Sequence, residues 1–154
     1  MKLYSKVIPL IARDITEALT KNEDIELEEG LEKEAPKDFE AILNEYQRSE
    51  REISDLAKDV LNSRGWGNAK FSEARKIAAT ARKFPMGDDA LDYVINQMLE
   101  YMLISPNIAE VYAEDHVMRT RIVVIMRRYL KLDGELDMEV RKRLKHKQEG
   151  TRDW

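Results

Sequence analysis

Three stretches of this chain carry residue types able to do chemistry. The first surrounds His116, one of two histidines, which follows Glu110, Glu114 and Asp115. A metal site on a helix needs its ligands on one face, so an acid would be wanted at position 112 or 113; Tyr112 and Ala113 stand there, and Glu-x-x-His occurs nowhere. His116 therefore reads as a capping or surface hydrogen-bonding residue, and His146, inside a basic segment, as a solvated side chain. With so little imidazole, general-base catalysis has no footing beyond scattered acids. A hydrolase built on Glu45, Glu50 and Glu52 would need a pocket that holds at least two of them with a bound ion.

The second stretch, Asp133-Gly134-Glu135-Leu136-Asp137, opens like a calcium loop. The sixth and twelfth places, however, hold Met138 and Leu144 where Gly and Glu are required, so it reads as a turn and helix cap. The third, Gly65-Trp66-Gly67, lacks the Lys-Ser/Thr pair of a phosphate loop and is read as a helix end and turn, with Trp66 folded onto the core or left as a contact residue. No nucleophile elbow, kinase signature or dinucleotide fingerprint appears. The expectation is no catalytic residues, no cofactor and no metal.

What remains is charge. Arg119, Arg121, Arg127, Arg128, Arg141, Lys142, Arg143, Lys145 and Lys147 could line phosphates or an acidic partner, and Lys70, Arg75, Lys76, Arg82 and Lys83 form a second basic group. Residues 22–40 are strongly acidic, so the net charge of -4 conceals two opposed poles. Against nucleic acid stand the overall acidity, an aromatic content of 7% and the lack of a legible motif. Solvated helix faces, or pairing with the acidic stretch, account for the cations more simply. The contact candidates are Arg119, Arg127, Arg128, Arg141, Lys142, Arg143, Lys145, Lys147 and Trp66.

The elements that must hold these residues are helices. Pro and Gly number only 4 and 6 in 154 residues, and strong helix formers abound. Ser5 can cap a helix over 6–20 with Pro9 in its first turn and a buried stripe of Ile8, Ile11, Ile15 and Leu19. The acidic stretch should be mostly loop, with an extended piece at 25–28. Pro36 ends it and Asp38 can cap the longest helix, 39–62, whose apolar face is interrupted by Ser49 and Glu50; Arg48/Glu52 and Arg51/Asp55 sit at salt-bridge spacing on the other face. A short basic helix follows at 71–83. Asp88 or Asp89 can cap 89–104, where Leu91, Val94, Ile95, Met98, Leu99, Met102 and Leu103 form one stripe. A further helix over 114–131 is apolar around most of its centre, Ile122 to Met126, which predicts a rod sandwiched between others. Leu136, Val140 and Leu144 predict a last helix.

The chain should therefore be all-α, five to six helices in orthogonal or bundle-like packing. Two small lobes, 1–63 and 88–154, would be joined by a linker at 64–87 that holds a short helix, all within one compact unit. The halves share a loose rhythm, with extended anchors at 24–27 and 107–111, but their side-chain registers disagree. Without cysteine, signal peptide or membrane span, the cytoplasm is the default location and membrane association is not expected.

Four stretches carry a family resemblance: MKLYSKVIPLIARDI at the start, EYQRSEREISDLAKD at 45–59, ISPNIAEVYAED at 104–115 and LDMEVRKRLKHKQEGTRDW at the end. Together they resemble the bacterial domain-of-unknown-function family 507 over nearly the whole chain, least clearly at 64–87. The resemblance implies a small helical bacterial protein and supplies no catalytic residues. It also implies that members continue past a segment like EGTRDW with more charged helix, which would make this chain a shortened form and account for Trp154. Function is expected to be a non-enzymatic protein-interaction or regulatory role, with a protein partner or self-association; the rival is nucleic-acid or ribonucleoprotein binding through the basic 119–147 face.

Overall fold

The computed structural model describes residues 1–130. The expected last helix and the cations Arg141, Lys142, Arg143, Lys145 and Lys147 lie outside the described residues.

Within them the fold is largely all-α, with five α-helices and one two-stranded sheet. A 3₁₀ turn, Ser5–Val7, leads into α1, Ile8–Lys21, with Pro9 in its first turn, where a missing N–H does no harm. Ser5 does not cap: no side chain caps either start, and its hydroxyl exchanges hydrogen bonds with Gln47 of the next helix. The predicted stripe of Ile8, Ile11, Ile15 and Leu19 is wholly buried.

The two extended anchors, read from sequence as a repeated rhythm, are partners in space. β1, Ile25–Leu27, pairs antiparallel with β2, Ile108–Val111, with Ile25 opposite Val111, Glu26 opposite Glu110, and an irregularity before Leu27 meets Ile108. A strand of three residues has no stability of its own. It is held by Asp24, whose carbonyl accepts from the Tyr112 and Ala113 N–H groups at 2.8 and 3.1 Å. The Asp24 carboxylate, only 4% exposed, takes Arg121 Nε at 2.6 Å.

α2, Ala35–Arg64, is 30 residues long, about 45 Å. It starts earlier than the capping signal at Asp38 suggests: Pro36 occupies the first turn, and Asp38 lies inside the helix with its side chain turned to a tertiary partner. Gly65 ends α2 in the left-handed conformation, φ 64°, as a terminating glycine does. The polar interruption at Ser49 and Glu50 does not break the rod; it marks where the partner changes. Before it, Phe39, Leu43 and Tyr46 enter the main core. After it, Ile53, Ala57 and Leu61 pack on α3, Phe71–Arg82, against the small side chains of Ala74, Ala78 and Ala79, which let the two rods approach closely. The expected Arg48/Glu52 and Arg51/Asp55 pairs do not form; Arg48 pairs with Glu45, and Arg51 donates to Gln47 at 3.0 Å.

α4, Asp88–Met102, starts at Gly87, with Asp88 and Asp89 in the first turn rather than as caps. Val94, Ile95, Met98, Leu99 and Met102 are buried, whereas Leu103, placed in that stripe by periodicity, falls past the helix end and is 71% exposed. α5 covers 115–130. Its Met118, Ile122, Ile125 and Met126 join α1, α4 and the first half of α2 in the principal core. Among the described residues the central apolar run is not sandwiched: Val124 is 56% exposed, and they cover one face of α5.

Candidate trough between α2 and α4

The fold brings the described contact candidates, Arg119, Arg127, Arg128 and Trp66, to separate places. Arg119 donates to Asn96 on α4, while Arg127 and Arg128 are exposed. At about 100° per residue, positions 119, 127 and 128 spread over half of the circumference of α5. Trp66 is half-buried against the Ala57, Leu61 and Ala74 cluster, with the Arg64 guanidinium 5.0 Å and the Lys70 ammonium 4.7 Å from its ring centroid. These cation–π contacts steady the turn between α2 and α3. His116 lies on the surface, its Nδ1 3.3 Å from Glu114 Oε2.

What the structure builds instead is a trough of about 470 Å³ along α2, between α4 and the α3–α4 turn. Ile42, Tyr46, Ile53, Leu56, Phe84 and Val94 are among its apolar lining residues. Tyr46 and Phe84 meet edge to face, centroids 5.3 Å apart at 77°, a favourable quadrupolar arrangement that seats the α3–α4 turn on α2. Glu45 and Glu52, two turns apart on α2, contribute carboxylates; Tyr93, Gln97 and Tyr101 come from α4; Arg82 and Lys83 come from the end of α3. Tyr93 is 45% exposed and Tyr101 37%, large aromatic surfaces left facing water.

At the α2 N-terminal end the trough is braced by a buried polar network. Asp38, 8% exposed, accepts from the Ser105 hydroxyl and from Asn107 Nδ2 at 3.0 Å. Ser105 Oγ also accepts the Asn107 N–H at 3.1 Å, and the Asn107 carbonyl takes the Glu28 N–H at 2.8 Å. One carboxylate thus ties α2 to the α4–β2 turn and, through Asn107, to the segment after β1. That turn carries Leu103 and Ile104, 71% and 74% exposed.

Two of the three acids that a hydrolytic pair would use, Glu45 and Glu52, do line the trough, whereas Glu50 faces Arg75 of α3 at 3.6 Å. Glu45 is engaged with Arg48, and the lining residues include no histidine, serine–base pair or second nucleophile set against them. Among the described residues no group of three His, Asp or Glu side chains could hold a metal ion, and no helix is long and apolar enough to cross a membrane.

Burial, followed by the nearby Glu50 carboxylate, raises the Tyr46 phenol well above its usual value, with Arg75 pulling the other way. Tyr112 and Tyr129 are raised through hydrogen bonds to Glu26 and Asp14. A phenol held neutral in the folded state contributes stability that is complete below the unfolded value near pH 10 and is lost as pH climbs toward the folded value. Alkaline unfolding should therefore begin above pH 10. Tyr46→Phe should flatten the alkaline limb of a stability-against-pH curve, measured by urea unfolding between pH 9 and 11.5, while leaving the neutral limb in place; an unchanged alkaline slope would contradict the assignment.

Sequence reasoning passed over the trough because Tyr93 and Tyr101 lie off the core stripe of α4, where an aromatic residue is easily taken for an ordinary surface residue. The signal available was an excess: α4 and its C-terminal turn hold more large apolar side chains than one buried stripe accommodates.

Residues 1–154, the whole chain, match the model of a family described as "Protein of unknown function (DUF507)", and the chain belongs to that family. No curated protein matches it.

Proposed function

We propose that this member of the DUF507 family is a protein-interaction module and that the α2–α4 trough is its binding face. The observation that carries the reading is the water-facing aromatic surface of Tyr93 and Tyr101 on the wall of an apolar concavity. Isolated exposed apolar residues are ordinary, but aromatic side chains left facing water on an apolar concavity with a charged border are a usual mark of a contact surface. The trough's residues supply area and shape and offer no arranged nucleophile, which favours binding over bond-making. A cytoplasmic, non-enzymatic role in bacteria fits this reading.

The test is affinity capture from native cells with the wild-type chain, Tyr93→Glu in the trough, and Glu29→Lys in the exposed acidic loop. A specific protein should be recovered by wild type and by Glu29→Lys and be reduced at least about tenfold with Tyr93→Glu, since charge at the centre of an apolar contact is expensive to desolvate. Equal recovery by all three would sink the reading. Nucleic-acid binding through Arg127, Arg128 and the cations at 141–147 would show itself differently, as association with mixed DNA and RNA that weakens steeply as salt is raised.

A further inference from the structure

We infer that the trough's occupant is an amphipathic α-helix of another protein. Such a helix presents an apolar stripe flanked by two basic residues seven positions apart, with acidic side chains on the edge that faces Arg82 and Lys83. This rests on the trough being a protein-binding face and goes on to say what it binds.

Three observations lead there. The first concerns the backbone. Both long walls are helices whose N–H and C=O groups are already paired internally, so the trough has no strand edge to offer. An extended peptide laid on the apolar floor would leave its own amides unpaired there, whereas a helix arrives with them satisfied. The second is length: the lining spans residues 38–56 of α2, about 27 Å, which matches about five helical turns. The trough is an open groove along α2 rather than a closed cavity, so it suits a ligand longer than a small molecule. The third is charge. Glu45, whose pair with Arg48 is exposed and easily exchanged, and Glu52 stand seven residues apart along α2, which a partner helix lying along α2 meets with lysine or arginine at the same spacing. Arg82 and Lys83, beside the middle of the trough where Phe84 meets Tyr46, have no ion-pair partner among the described residues and favour acidic side chains on the facing edge of the partner helix.

The probes are synthetic 18-residue peptides: a leucine-striped helix with lysines seven apart on one edge of the stripe and glutamates on the other, the same peptide with lysine and glutamate exchanged, and the first peptide with a central proline. By fluorescence anisotropy with the full chain, the first should bind at least about tenfold tighter than the second, and the proline form should fall below detection. In the double variant Glu45→Lys/Glu52→Lys the order of the first two should invert. Equal binding of the charge-exchanged peptides, or an order unmoved in the double variant, overturns the inference. So do carbodiimide cross-links joining Glu45 or Glu52 to lysines of residues 131–154 or of a second copy. If the peptides fail while capture from cells still depends on Tyr93, the helix assignment falls and the binding face stands; if both fail, both fall.

Discussion

Replacing Phe39 by alanine should destabilise the protein by about 3–5 kcal/mol and lower its melting temperature by about 10 °C. Phe39 is 1% exposed and sits where α2 enters the principal core with the stripes of α1, α4 and α5. Removing the ring leaves a cavity that four packed rods close only in part, so the transfer loss and the void add. Against a total stability of about 5–15 kcal/mol, that is a large fraction from one residue. Val124→Ala provides the contrast. It deletes apolar atoms from the same fold, but from a side chain already 56% in water, so it should cost less than about 1 kcal/mol. Urea unfolding of the two variants checks the pair, and similar losses would mean that Val124 is covered in solution.

The second large effect is polar. Asp38→Ala should cost about 2–4 kcal/mol, because it leaves the Ser105 hydroxyl and Asn107 Nδ2 without their common acceptor at a nearly dry site. Asp38→Asn keeps the shape and one carbonyl acceptor and should cost less. The damage should also be local: Ser105 and Asn107 hold the turn that carries Leu103 and Ile104 and pass the connection on to Glu28. Amide hydrogen exchange should therefore accelerate at residues 103–108 in Asp38→Ala before it does in α1. Uniform acceleration along the chain would show that Asp38 acts on the whole fold rather than on this brace. If the trough needs the Leu103–Ile104 turn in place, Asp38→Asn should also weaken partner binding without unfolding the protein.

Helix positions were legible because each helix carries its own signal. The periodic isoleucines of α1, Gly65 after α2 and the Val94-to-Met102 stripe of α4 depend on residues at most one or two turns apart. Asp38 shows where local reasoning misled. In sequence it looks like a cap in front of Phe39, yet its partners are Ser105 and Asn107, nearly seventy residues away, and no local pattern encodes a hydrogen bond of that span. Asp24 and Arg121 tell the same story across the sheet. For α5, composition spoke for a buried rod, but exposure depends on how many neighbours arrive. Among the described residues they cover the face of Met118 and Ile122 and leave Val124 in water.

The order and type of the described helices and the buried isoleucine stripe of α1 follow from the sequence by itself, because propensity and periodicity are properties of neighbours along the chain. That β1 finds β2, that α2 changes partners at Glu50, and that Tyr93, Tyr101 and two glutamates border one trough were decided only by the tertiary structure. Each depends on surfaces meeting from distant parts of the chain, and the free energy of that meeting belongs to the packed whole rather than to any segment.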